Sequence, residues 1–462
     1  MLPVVALVGR PNVGKSTIYN SLTKTRDAIV SNMPGVTRDR LFGVCRRAER
    51  PFLVVDTAGL TENEDLLAKG MSAQSWQAIE ESDLVCLVVD ARDGLHPDDI
   101  EIAKRIRATG RPMMLVVNKI DGIQEYTAQA EFSRLGIASM LLISAAHNQG
   151  ITDLVEHLLA QLPATEEAES LDDGAIRIAI LGRPNVGKST LVNRLLGEDR
   201  VLAMDLPGTT RDAVRIPLER DGKRYVLIDT AGIRRKARVG DGVEKFSVIK
   251  ALQAAEEAHV VILMLDAQQG FADQDAHILG EVVNGGRGLV LAVNKWDGLS
   301  VRERTQVNSR LDWGLGFVNF AKRIPISALH GSGLGELLKA VHQAHRSATR
   351  EFTAAELTKA LSQAFEKHHP PMVRGRVSKM RYAHQGGRNP PRVIIHGNRL
   401  SSLTDDYKRY LENTLRQKFK LVGTPLALEF REGSNPFAGK VNPLTERQVK
   451  KRKRLVSHAK RG

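Results

Sequence analysis

Short unbroken apolar runs alternate along the chain with longer stretches whose apolar residues recur at helical spacing. Residues 4–8, 52–55, 85–89, 113–117 and 140–143 form one series of such runs. Residues 176–181, 225–228, 260–265, 289–293 and 323–326 form a second. Most of these runs lack a polar alternation. A strand with one wet face alternates polar and apolar residues, whereas a strand covered by helices on both faces does not. The pattern predicts parallel strands in two doubly wound α/β domains. The last quarter reads differently. Residues 353–368 and 404–419 are helical by periodicity, 373–382 and 392–396 alternate like strands, and 426–430 closes as a strand.

The two series belong to an internal repeat. Gly9, Arg10, Pro11, Asn12, Val13, Gly14, Lys15, Ser16 and Thr17 recur letter for letter as Gly182, Arg183, Pro184, Asn185, Val186, Gly187, Lys188, Ser189 and Thr190. Thr37-Arg-Asp matches Thr210-Arg-Asp. Asp56, Thr57, Ala58 and Gly59 match Asp229, Thr230, Ala231 and Gly232. Asn118, Lys119, Ile120 and Asp121 match Asn294, Lys295, Trp296 and Asp297, and Ser144-Ala145 matches Ser327-Ala328. A repeat this long is a duplicated domain, not a solenoid unit. The expected divisions are a first domain at 1–162, an acidic flexible linker at 163–174, a second domain at 175–349, a small domain at 350–432 and a tail at 433–462.

Each motif carries a definite chemistry. Gly-x-x-x-x-Gly-Lys-Ser between a strand and a helix lets backbone N–H groups converge on phosphates at a helix N-terminus. Lys15 and Lys188 then reach the β- and γ-phosphates, and Ser16 and Ser189 ligate Mg2+. Asp56 and Asp229 hold the same ion, mostly through water. Gly59 and Gly232 let their N–H approach the γ-phosphate. Thr37 and Thr210 sit where a loop would bind Mg2+ only while the γ-phosphate is present; Thr209 competes with Thr210 for that role, and the matched spacing favours Thr210.

Base choice follows from Asn-Lys-x-Asp. Asp121 and Asp297 can accept two hydrogen bonds from the N1–H and exocyclic amine of guanine, a pattern adenine cannot present. Asn118 and Asn294 face N7, the lysine stems lie along the ring, and Ser144-Ala145 and Ser327-Ala328 offer backbone N–H to O6. The motifs together predict GTP and GDP as ligands of both copies and GTP hydrolysis as the reaction. Leu60 and Ile233 follow the third motif where a water-orienting glutamine stands in Ras-like enzymes. Intrinsic hydrolysis is therefore expected to be slow.

Charge adds a partner. The net charge is +14 over 462 residues. Residues 346–462 hold 26 Lys/Arg against 9 Asp/Glu, so the excess sits in the last quarter. The asymmetry points to nucleic acid or an anionic membrane surface, and the run Lys450-Lys-Arg-Lys-Arg454 reads as an anchor for such phosphates or as a solvated tail. No stretch approaches about 18 apolar residues, so no membrane span is expected. The first residues read as a buried strand and not as a signal peptide. Cys45 and Cys86 lack metal-ligand spacing, and the absence of needed disulfides fits a reducing cytoplasm.

With these residues in view, the chain resembles the Der/EngA family, tandem-domain GTPases of bacterial ribosome assembly, over roughly residues 3 to 440. The carrying features are the two identical phosphate loops, Pro34-Gly-Val-Thr37 and Pro207-Gly-Thr-Thr210, and Ile233-Arg-Arg-Lys236 followed by Val243-Glu-Lys-Phe-Ser-Val248. The resemblance implies two tandem P-loop GTPase domains with mostly parallel sheets, followed by a small α+β KH-like domain. It implies GTP hydrolysis coupled to maturation of the large ribosomal subunit, with the basic C-terminal domain on its rRNA and nucleotide-dependent repositioning of domains. It also implies a K+ ion beside the phosphates at Asn12 and Asn185; a loop-shaping hydrogen bond is the alternative role for both. One departure stands out. RNA-binding KH modules clamp the backbone with Gly-x-x-Gly, and the expected place holds Gly397-Asn-Arg-Leu-Ser-Ser402, with no second glycine.

Overall fold

A computed structural model describes residues 1–23, 42–57, 73–163, 174–197, 215–228, 248–370 and 378–432. The expected linker and basic tail fall almost wholly outside them. The first copy runs β1 (Val4–Val8), α1 (Lys15–Thr23), β2 (Phe42–Cys45), β3 (Phe52–Asp56), α2 (Ala73–Glu81), β4 (Leu84–Asp90), α3 (Pro97–Ala108), β5 (Met113–Asn118), α4 (Glu125–Phe132), β6 (Met140–Leu142) and α5 (Ile151–Gln161). The second runs β7 (Ile176–Leu181), α6 (Lys188–Leu196), β8 (Arg215–Arg220), β9 (Lys223–Ile228), α7 (Val248–Glu257), β10 (Val260–Asp266), α8 (Asp273–Asn284), β11 (Gly288–Asn294), α9 (Val301–Gly314), β12 (Lys322–Pro325) and α10 (Leu334–Ala348).

Each copy forms a six-stranded sheet, ordered β2-β3-β1-β4-β5-β6 and β12-β11-β10-β7-β9-β8. All pairings are parallel except β2 with β3 and β8 with β9. The unbroken apolar runs have the expected cause. Along β4, Leu84, Cys86 and Val88 pack into one cluster with α1 and α5, while Val85, Leu87 and Val89 pack into another with α3. Both faces are dry, so no position is left for a polar residue. Burial of Cys86 pushes its thiol up to about 12, which makes it an inert core residue.

The two antiparallel strands, β2 and β8, were not in the sequence reading. β2 has four residues, one of them Gly43, and β8 carries Pro217 with exposed Arg215 and Glu219. Both lie at sheet edges, where a proline lacking N–H is tolerated and one side of the strand stays wet.

The last unit is α11 (Ala354–Lys367), β13 (Lys379–Gly387), β14 (Arg392–Asn398), α12 (Asp405–Lys418) and β15 (Ala427–Glu432). Its sheet is ordered β13-β14-β15, antiparallel then parallel. Leu357, Leu361, Leu411 and Leu415 of the two helices close a core over Ala383, Val393 and Ile395 on one sheet face. Thr353 caps α11 through its side chain and Glu356 answers from the third position, which fixes where that helix begins. The first strand differs from expectation. It runs to Gly387 where the alternation predicted an end at 382; residues 371–377 are not among those described.

Two contacts join the units. The C-terminal unit is bonded to the second copy through backbone. Gly423 N–H donates to Phe320 O at 2.7 Å, Leu289 N–H donates to Gly423 O at 2.7 Å, and Arg416 lies over the Phe320 ring. Gly423 has φ +69, and a Cβ there would meet Ala344 Cβ at 2.5 Å, so only glycine fits. The first copy meets α7 of the second. Ile249 and Leu252 pack against Val4, Phe42, Leu53, Val55 and Ala78. The Met1 amino group pairs with Glu257, Arg46 pairs with Glu256, and Gln253 donates to Leu2 O.

Candidate nucleotide-binding sites

The phosphate loop follows β1 and opens α1. Lys15 is buried and its Nζ donates to the carbonyls of Gly9 and Arg10 at 2.8 and 2.6 Å. Lys188 repeats the arrangement on Gly182 and Arg183, both at 2.9 Å. The ammonium is thus folded over the mouth of its own loop, where a phosphate would be its stronger partner. Burial lowers the Lys15 pKa to about 8, with Asp56 opposing the shift and Arg10 adding to it.

That shift has a measurable consequence. Phosphates favour the charged lysine, so binding above pH 8 takes up a proton, and affinity falls as pH rises through 8 and is flat below it. In a Lys188→Ala chain, where only the first copy binds tightly, GDP affinity should fall about fourfold between pH 7 and 8.5. Titration calorimetry in buffers of different ionisation heat would show the proton uptake. A flat affinity profile contradicts it.

The glycines have a specific steric reason. A Cβ on Gly14 would lie 2.2 Å from Asn118 Nδ2, and one on Gly187 2.3 Å from Asn294 Nδ2. Those two asparagines cross over the loop. Asn118 Nδ2 donates to Val13 O at 2.9 Å while its Oδ1 accepts from Ala145 N–H at 3.0 Å. Asn294 does the same between Val186 O at 2.7 Å and Ala328 N–H at 2.9 Å. Each asparagine ties the phosphate loop to the base loop, and the second hydrogen of Nδ2 is what it retains for N7.

The base-reading carboxylates are also held. Ser144 Oγ donates to Asp121 at 2.7 Å, and Ser327 does so to Asp297; these hydrogen bonds hold both carboxyls below the usual carboxylate range. Asp121 further meets Arg92, and Asp297 meets His330. The amides expected to face O6 have partners within the protein. Ser144 N–H donates to Gln149 O and Ala145 N–H to Asn118, with the same pattern at Ser327 and Ala328. Both amides assigned to O6 are engaged within the protein, so a contact to O6 requires one of these bonds to be shared or exchanged.

Lys119 and Lys295 adopt left-handed backbone, φ 64 and 63. Their ammonium groups pair with Asp90 and Asp266 at 2.5 Å. These pairs fix the two lysine side chains beside the base motif. Ile120 is buried and Trp296 packs at the edge of the second core. Asn12 and Asn185 are left-handed too, φ 65 and 62, the conformation asparagine tolerates best after glycine. Both asparagines thus stand at matching turns of the loop backbone. Pro11, Pro184 and Thr17, Thr190 complete the loop and the first helical turn.

Ser16 Oγ donates to Asp56 at 2.7 Å, and Thr57 Oγ1 donates to Leu7 O. An alcohol and a carboxylate side by side at the loop form an oxygen donor set of the kind Mg2+ takes. Thr37, Ala58, Gly59, Leu60, Thr210, Asp229, Thr230, Ala231, Gly232 and Ile233 lie outside the described residues; Ser189 is described, its partner Asp229 is not.

Four carboxylates escaped the sequence reading. Asp90 and Asp266 are those that hold the lysines. Asp99 and Asp275, fully buried, each take the guanidinium of the loop arginine, Arg10 or Arg183, at 2.9 Å. Each also accepts from the backbone N–H at the start of its helix, that of His96 or Ala272. They fasten the phosphate loop to α3 and α8. Their signal was available, since both pairs recur at the spacing of the Asn-Lys-x-Asp motif.

Residues 4–119 and 177–295 match the family described as 50S ribosome-binding GTPase, and residues 352–431 match the KH-domain-like C-terminal domain of EngA bacterial GTPase enzymes. The chain is 56% identical over 463 residues to GTPase Der of Stenotrophomonas maltophilia and to GTPase Der of Xanthomonas campestris pv. campestris, with 100% of both partners covered in each case. It is 54% identical over 461 residues to GTPase Der of Hahella chejuensis, covering 100% of this chain and 98% of that one.

Proposed function

The chain belongs to the Der (EngA) family of tandem GTPases, and from that premise we propose that its GTP hydrolysis drives maturation of the large ribosomal subunit by repositioning the first domain. GTP binding and hydrolysis and a ribosome-related role come with the family. The finer reading rests chiefly on one observation, the unequal joints between the units. The C-terminal unit is bonded by backbone to Leu289 at the root of β11, whose other end is Asn294 of the second nucleotide site. Those two units are one mechanical piece. Among the described residues, the first copy is held by a small apolar contact and three polar pairs to α7, the kind of interface across which domains move.

In this reading the domains divide at 1–162, 175–349 and 350–432, joined by the acidic linker at 163–174 and followed by the basic tail at 433–462. All loop, base-motif and third-motif residues named above bind nucleotide. Mg2+ sits at Ser16, Thr37 and Asp56 and at Ser189, Thr210 and Asp229, where it would neutralise charge on the phosphates. Lys15 and Lys188 stabilise charge on the transferred phosphoryl group, and Thr37 and Thr210 report the γ-phosphate. With Leu60 and Ile233 unable to orient water, Asn12 and Asn185 are the residues that would hold a K+ ion, which would add positive charge beside the phosphates. The rRNA is met by the basic C-terminal quarter. Among the described residues no helix is long and apolar enough to cross a membrane, and the proposed site of action is the cytoplasm.

Co-sedimentation with large subunits tests this across a salt series. A non-hydrolysable GTP analogue should favour binding over GDP, and binding should weaken steeply as salt rises. Equal binding in both nucleotides would overturn the switch.

A further inference from the structure

The C-terminal sheet buries one face under α11 and α12. Its other face carries a row of planar rings. Tyr382 of β13 stands opposite His396 of β14, which stands opposite Arg431 of β15. The Tyr382 and His396 rings stack at 4.4 Å and 8°, and His384 stacks on His396 at 5.2 Å and 20°. The register slips between Met380 and Tyr382, so this edge strand bulges at exposed Arg381. Tyr382 is 50% exposed, among the few large apolar side chains of the described residues that are.

Such a surface needs an explanation other than the core, because the core lies on the opposite face. Its charge selects the partner. Arg392 and Arg431 lie on the same face, Lys379 and Arg381 are exposed on its edge strand, and its acid, Glu429, is already paired with Arg431. Aliphatic side chains, which a protein partner would need, are represented there among the described residues by Ile394 and Ala427, both buried. The route used by other KH modules is closed. In the loop that replaces Gly-x-x-Gly, Ser401 N–H donates to Glu432 Oε1 at 2.6 Å, so an amide of that loop is engaged by a carboxylate that would repel a phosphate. That hydrogen bond keeps Glu432 below the usual carboxylate range.

We propose that this outer sheet face is a stacking platform for the bases of single-stranded RNA, with Tyr382 as the outermost ring and the flanking arginines on the backbone. Rings of this kind take any base, because every base has a π-face. The proposal deepens the reading of the C-terminal unit as the RNA-contacting part, and it rests on that reading.

The test uses the full chain and a labelled oligoadenylate of about 12 nucleotides, followed by fluorescence anisotropy at low salt. Tyr382→Ala should weaken binding about 5- to 150-fold, the range for losing one stacked base. Tyr382→Phe should bind within about twofold of the natural chain, since the ring and not the hydroxyl does the work. His384→Ala, a second variant on the same row, should weaken binding in the same direction. GTP turnover should be unchanged in all three, and thermal unfolding followed by circular dichroism should match the natural chain, which shows that the C-terminal unit also folds. A duplex RNA of equal length should be bound equally by all the chains, because its bases are not available to stack.

Wild-type affinity in Tyr382→Ala overturns the platform, as does an equal loss in Tyr382→Phe or an equal loss on duplex. No ribosome enters the assay. A chain that binds the oligonucleotide through Tyr382 but fails to sediment with large subunits therefore overturns the ribosomal reading and leaves this site standing.

Discussion

Asp121→Asn combined with Asp297→Asn is expected to lower affinity for GTP by about 10⁴–10⁵-fold and to create affinity for xanthosine triphosphate. Guanine offers two donors on one edge, and each carboxylate offers two acceptors. An asparagine replaces one acceptor with a donor, which leaves two N–H groups facing each other across a closed site. Xanthine carries a carbonyl where guanine carries the amine, so the new donor finds a partner. The carboxylates are fixed for this purpose by Ser144 and Ser327. Each single variant should retain one guanine-selective copy. Competition between the two triphosphates, read as turnover, measures the exchange. Unchanged preference in the double variant would mean that the base is read elsewhere.

Lys15→Ala and Lys188→Ala should each cost their own copy about 10²–10³ in rate and leave the other working. The ammonium is buried, and the Gly9, Arg10, Gly182 and Arg183 carbonyls that now hold it would be left facing the phosphates. Steady-state turnover per chain should fall to the share of the intact copy, and the double variant should be inactive. A substitution that leaves turnover unchanged would identify a copy that binds without hydrolysing.

Much of this was legible from the chain. The apolar runs located the buried strands to within a residue or two, because a strand covered on both faces is a short unbroken apolar run, and these runs are too short for helices. Ile176–Leu181 and Val4–Val8 were located to the residue. The edge strands Phe42–Cys45 and Arg215–Arg220 were not, since one wet side and a proline or glycine make them look like loop. In the site, residues that touch nucleotide announce themselves by motif. Those that hold the motif in place do not. Asp99 and Asp275 act on Arg10 and Arg183 from helices about 90 residues away in sequence, and only the repeat marks them. The Gly14 requirement was read as access for phosphate; the fold adds the crossing Asn118 side chain as a second cause. The joints between units were not legible, because the pattern of α7 marks a buried face without saying which unit covers it, and Gly423 lies in a loop.

The central claim is that one chain holds two working guanine-nucleotide sites. Equilibrium dialysis against GDP and Mg2+ counts them directly. Two nucleotides per chain, falling to one in each single lysine variant, is the predicted result. One per natural chain, or a count unaffected by either lysine, would contradict it.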